Sequence, residues 1–243
     1  MILNRLDLAI KFSKNGKLNP FGVPCCFDVT MAKCLKTCTF GKLGICYADN
    51  NFRENLDPRI KILDDNYQAL DNSDTFVQDF ISLIKINGNP RNFRFFAAGD
   101  IDKVSHIKKI NKIAMRTPLT SYWMPTHRID LIKRWLNDGN FKAKNLNIRV
   151  SCPEPNYHIT KPKRFSNLMA WAVNNGLTVS EVITSDDYII GCSKCTKKQC
   201  KTIYGHNIEE CDKCYNSEVD LIQYTLKNIS KAKLNEMHQR FNR

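Results

Sequence analysis

Between residues 93 and 183 the chain repeats one pattern: a short apolar run closed by a turn, then a longer stretch with helical spacing. The run 93–98 ends at Gly99-Asp100, and a helix is predicted over about 103–115, with Val104, Ile107, Ile110 and Ala114 on one face. A strand at 121–124, a helix at 128–136, a strand at 146–150, a helix at about 163–175 and a strand at 177–183 follow. Upstream, Asp57-Pro58 and Ser73-Asp74 open two further helices, the first with Pro at its first helical position. Strands separated by helices of this length need crossover connections and therefore pair in parallel, in an open sheet or a barrel. The expected class is α/β. A final amphipathic, basic helix is expected over about 216–239 (Val219, Ile222, Leu226, Ile229, Leu234).

Two cysteine clusters bracket this core. The 243 residues include 11 cysteines, which is below the ~8–10% typical of disulfide scaffolds. The count is odd, and Met1-Ile2-Leu3-Asn4-Arg5 has no apolar segment of the secretory kind. No run approaches the ~18–20 apolar residues that cross a bilayer. The expected setting is the cytoplasm, with no membrane partner and with thiols kept reduced to hold metal.

The N-terminal cluster, Cys34-x3-Cys38-x7-Cys46, places three thiols within 13 residues, in a loop expected to follow the first core strand. Three thiols without a nearby His or Asp suit an iron–sulfur cluster with one open iron. Zinc is the competing reading, with Cys25 or Cys26 as fourth ligand, and unliganded buried thiols are a third. The C-terminal cluster is Cys192-x2-Cys195-x4-Cys200 followed by Cys211-x2-Cys214. Fifteen residues separate Cys195 from Cys211, a zinc-ribbon spacing. Five thiols are one more than zinc needs, so a second iron–sulfur cluster competes with zinc there.

These features in this order resemble the radical S-adenosylmethionine superfamily: a first strand, a three-cysteine loop, and a second strand ending in a carboxylate. Closer still, Cys46-Tyr47-Ala48, the Phe93-Arg94-Phe95 strand running into Gly99-Asp100, and the cysteine-rich end resemble a family of phage and plasmid proteins, the gene product 88 domain family. The resemblance implies a partial parallel β/α barrel with a small cysteine-rich metal-binding module behind it. The domains would be 1–190 and 191–243, in the cytoplasm of a host if the chain is phage-encoded. It also implies a 4Fe-4S cluster at Cys34, Cys38 and Cys46, with S-adenosylmethionine on the fourth iron and an electron donor as partner. Reductive cleavage would then give a 5′-deoxyadenosyl radical that modifies the substrate. Gly99 and Asp100 would meet the methionyl ammonium, with Asp100 the catalytic carboxylate, and Arg128 and Ser151 would contact carboxylate and ribose. The chain departs from the superfamily's common Cys-x3-Cys-x2-Cys spacing, and Ile45 replaces the usual aromatic before the last cysteine.

Charge adds a rival. With 37 Lys+Arg and 24 Asp+Glu the net charge is +13, which favours anionic partners. A nucleic acid is the expected one, and Lys227, Lys231, Lys233, Arg240 and Arg243 of the terminal helix are its expected contacts. The alternative function is therefore a metal-stabilised, non-enzymatic protein that binds nucleic acid or a host protein. His106 and His238 read as helix-surface residues, and Cys152 as a buried thiol rather than a nucleophile.

Overall fold

The strands β1 (Cys26–Phe27), β2 (Asn92–Phe95), β3 (Ser121–Thr126), β4 (Leu146–Ser151), β5 (Thr178–Ile183) and β6 (Leu221–Thr225) form one sheet. They lie side by side in chain order, every neighbouring pair parallel, and the sheet is not closed. This is a computed structural model, and it describes residues 25–34, 38–42, 46, 58–184 and 220–225. Its helices are α1 (Thr39–Lys42), α2 (Pro58–Asn72), α3 (Phe76–Ile86), α4 (Val104–Arg116), α5 (Ile129–Asn137), α6 (Tyr157–Thr160) and α7 (Pro162–Asn174), with a 3-10 turn at Met31–Lys33.

Side chains on a strand alternate between faces, and here the two faces differ in chemistry. Phe93, Phe95, Tyr122, Met124, Leu146, Ile148, Val150 and Val179 share one core with the apolar stripes of the helices, among them Leu70, Phe80, Ile110, Ile132 and Ala172. Phe80 of α3 lies in the middle of an aromatic group, with ring centroids 5.4 Å from Phe27, 5.4 Å from Phe93 and 5.3 Å from Phe95. On the opposite face, register aligns Arg94 with Trp123, Trp123 with Asn147, Arg149 with Thr178, and Ser151 with Ser180. A parallel sheet covered by helices on both sides carries apolar residues on both. The polar row marks this face as different.

Three expectations need correction. The residues expected to form part of a terminal helix include β6: Leu221-Ile222-Gln223-Tyr224-Thr225 pairs with β5 along its length. This segment has both the helical spacing of Ile222 and a β-branched, aromatic alternation, and pairing with an exposed strand edge decides between them. The rest of 216–239, apart from Asp220, lies outside the described residues, as do Lys227, Lys231, Lys233, His238, Arg240 and Arg243. The second strand stops at Phe95, not at residue 98, because Phe96 adopts φ 61° and turns the chain out of the sheet. His106 is fully buried instead of exposed: α4 packs it against the end of α2, with Nε2 3.3 Å from Asp71 and Nδ1 3.2 Å from Asp102.

The loops after β1 and β2 touch backbone to backbone. Val29 N–H donates to Ala98 O at 3.2 Å, and Gly99, at φ +81°, brings its Cα so close that an added Cβ would sit 2.4 Å from Val29 O. Gly99→Ala is therefore expected to destabilise the fold by at least about 2 kcal/mol in urea unfolding. Wild-type stability in that variant would show that the two loops do not approach in solution.

Candidate functional site at the carboxyl edge of β1–β3

Loops that follow parallel strands collect at the carboxyl edge of the sheet, and the three-cysteine loop follows β1 there. Cys34 closes the 3-10 turn, its N–H donating to Met31 O at 2.9 Å. Cys38 immediately precedes α1, and its carbonyl accepts from Lys42 N–H at 3.1 Å. Cys46 N–H donates to Phe40 O at 3.0 Å, and its side chain packs with Met31 beside Leu63 and Ala98. The loop thus rests on the residues that leave β2. It also rests on β3's exit, where the rings of Phe40 and His127 stand 5.3 Å apart.

Two buried carboxylates build the platform beneath it. Asp28 Oδ1 accepts from the N–H groups of Ala97 (2.5 Å) and Ala98 (2.9 Å) and from the Cys26 thiol (3.1 Å). Asp100 Oδ1 accepts from Ile101 N–H (2.7 Å) and from the Thr126 hydroxyl (2.7 Å), and its Oδ2 accepts from His127 N–H (2.8 Å). Asp100 therefore ties the loop after β2 to the end of β3, and both of its oxygens hold protein donors. Burial keeps His127 uncharged at neutral pH, pushing it down to about 4.

The other sequence-derived candidates are placed as follows. Arg128 follows β3, with Nε and Nη2 each 3.0 Å from the Asp130 carboxylate. Ser151 ends β4 with its hydroxyl 3.1 Å from that of Ser180 on the polar face. Gly99 serves the backbone contact described above. Cys192, Cys195, Cys200, Cys211 and Cys214 lie outside the described residues. Cys152 is buried, and burial raises its thiol pKa, consistent with a packed thiol. Sequence reasoning missed Asp28, whose role depends on a partner about 70 residues away in the chain. It also missed the polar face, which Arg94 and Arg149 signal by standing in strands at positions that alternate with Phe93, Phe95, Ile148 and Val150.

The donor set can be tested against a metal. Cys34, Cys38 and Cys46 are half-buried on one loop, chemically suited to iron or zinc. Among the described residues, however, no three His, Cys, Asp or Glu side chains are gathered as ligands. Assembly would need the thiols to converge on binding, and for many metal sites that convergence is part of the binding free energy. Cys26 does not fit as a fourth ligand: burial raises its thiol pKa well above the ordinary value, and Sγ–H is given to Asp28.

Burial pushes the Asp100 carboxyl up to about 6, against the pull of Thr126, the two N–H groups and Arg128. A carboxyl raised in the folded state adds stability that is full below its unfolded value of about 4 and is lost as pH rises through the folded value. Wild-type stability is thus expected to fall between about pH 4 and pH 7, by about 1–3 kcal/mol from this group. Asp100→Asn should flatten that part of the profile in urea titrations. An unchanged slope would assign the dependence to another group.

Among the described residues, no helix is long and apolar enough to cross a membrane. Neither a curated protein nor a solved structure matches the chain. The sequence model of one family, Gene product 88, matches residues 8–217. That span takes in the cysteine loop, the carboxylate platform and strands β1 to β5, and the chain belongs to the Gene product 88 family.

Proposed function

We propose that the chain is an iron–sulfur protein of the radical S-adenosylmethionine type, acting from the carboxyl edge of a sheet that curls as a partial β/α barrel. The observation that carries this reading is topological. In an all-parallel sheet of strictly sequential order, the three-cysteine loop directly follows β1 and rests on the exits of β2 and β3. Reactive groups gather at that edge in parallel β/α folds. Cys34, Cys38 and Cys46 would hold a 4Fe-4S cluster, and the cysteines of 192–214 a second centre, iron–sulfur or zinc. The cluster would supply one-electron cleavage of the bound sulfonium cofactor, yielding a radical that abstracts hydrogen from the substrate.

The protein's own part is positioning and exclusion of water. Asp100 holds His127 and Thr126 in place, and His127 in turn carries Phe40 of the cysteine loop. With both oxygens so engaged, Asp100 acts as a positioning residue in this reading. The polar face, with Arg94 over Trp123 at 4.2 Å and the half-buried Ser151–Ser180 pair at its carboxyl end, would meet the substrate at that end of the sheet. One observation favours the rival reading, a metal-stabilised binding protein: Asp100 is fully occupied as an internal tie.

Metal analysis of protein purified without oxygen separates the two. The expected result is about four or about eight irons per chain, with a reduced-state electron paramagnetic resonance spectrum that S-adenosylmethionine perturbs. The triple variant Cys34→Ala, Cys38→Ala, Cys46→Ala should lose about four irons and the cofactor response. Zinc alone would remove the radical reading and leave the binding protein.

A further inference from the structure

The opposite, amino edge of the sheet carries a second surface. α4 has no acidic residue, and Lys108, Lys112 and Arg116 recur on it every fourth position, all exposed. At 1.5 Å rise per residue they stand about 6 Å apart in one row. Like charges at this spacing destabilise a helix, so the row is not there for the helix itself. Among the described residues no carboxylate pairs with any of the three, or with exposed Lys144 in the loop before β4. Only two acids, Asp130 and Asp138, stand between Lys103 and Arg149; Asp130 pairs with Arg128, and Asp138 is at the end of α5.

The loop that brings Lys144 to this row is fixed. Asn111 of α4 donates to Phe141 O at 3.0 Å and accepts from Ala143 N–H at 2.8 Å. Asn145 donates to the carbonyls of Ala114 (3.0 Å), Thr117 (3.1 Å) and Thr120 (2.8 Å). The same bonds hold Phe141 at 70% exposure beside the row. An exposed aromatic held in place among unneutralised cations is the combination that stacks a base and follows a phosphate backbone.

We propose that this surface, Lys108, Lys112, Arg116 and Lys144 around Phe141, docks single-stranded nucleic acid. The cations engage successive phosphates, and Phe141 stacks on an unpaired base. A duplex hides its base faces, so Phe141 selects a single strand. An anionic membrane is the weaker fit: the apolar face of α4 (Ile107, Ile110, Ile113) is buried in the core, leaving only its charged face outward. The row runs along α4 towards the end of the sheet away from the cysteine loop, where Arg116, Lys144 and Phe141 lie, so the surface anchors a strand and does not present it to that loop. It stands independently of the proposed cluster.

Fluorescence anisotropy with a labelled oligothymidylate of roughly 20 nucleotides tests it, alongside a duplex of the same length and phosphatidylglycerol vesicles. Lys112→Ala, Arg116→Ala and Lys144→Ala combined should weaken oligothymidylate binding by more than about tenfold and reduce the salt slope by about two. Phe141→Ala should weaken it by about five- to a hundredfold with the slope unchanged and duplex binding unaffected. Thermal melts and iron content should match wild type in both variants, so failure here is separable from failure of the cluster reading. Unchanged oligothymidylate affinity in the triple variant overturns the proposal. So does a Phe141→Ala variant that binds as wild type, or binding to vesicles without binding to the oligonucleotide.

Discussion

A single carboxylate oxygen, Oδ1 of Asp28, holds the start of this fold together. It receives two consecutive backbone N–H groups, of Ala97 and Ala98, at the point where β2 leaves the sheet. β1 contributes only two residues to the sheet, too few for ladder hydrogen bonds alone to fix it. The Asp28 bonds extend that pairing beyond the strand, and Asn66 Nδ2 adds a tie from α2 to Asp28 O at 2.8 Å. Burial raises the Asp28 pKa, and the N–H donors pull the other way. A buried carboxylate left without such donors would cost several kcal/mol. The loop after β1, with its three cysteines, inherits its position from this arrangement, because it leaves the sheet two residues further on and packs on Ala98.

Much of the fold was legible because period and length agreed. For β3, β4 and β5, apolar runs of strand length stood between helical stretches with a single apolar face, and Pro58 marked the start of α2. Legibility failed where two local signals coexisted or where the decisive partner was distant. Leu221–Thr225 satisfies both a helical and a strand pattern, and the free edge of β5 chooses. His106 has a polar side chain on a helix, yet the Asp71 carboxylate, 3.3 Å from its Nε2, makes its burial tolerable. At the candidate site the cysteine spacing and the Asp100 carboxylate were plain, whereas the rest of the platform was not. Asp28, Thr126 and His127 act through contacts made only when three strand ends come together.

The two ends of the sheet divide the chemistry between them. At the carboxyl edge the groups are buried and internally bonded: Asp28, Asp100, Thr126 and the half-buried thiols above them. At the amino edge Arg116 and Lys144 are exposed, and Met115, Leu119 and Phe141 stand out of the surface at 53%, 75% and 70% exposure. A surface of that kind suits association, where desolvating a few apolar groups and releasing counterions supply the free energy.

Between these ends runs the polar face of the sheet. Its alternate positions carry Arg94, Asn147, Arg149, Thr178 and Ser180, all buried. Taking guanidinium groups out of water costs several kcal/mol each, and exchanging buried charged groups for well-packed apolar ones is often neutral or stabilising. The bonds that hold them are specific: Arg149 Nη1 donates to Val179 O at 2.9 Å, and Thr178 donates to Asn147 Oδ1 at 2.8 Å. A sheet covered by helices on both sides would carry apolar residues on both faces, as this one does on the helical side. Here the polar side chains meet partners within the protein, as Arg149 and Thr178 do across β4 and β5, and such bonds fix both their orientation and the register of the neighbouring strands.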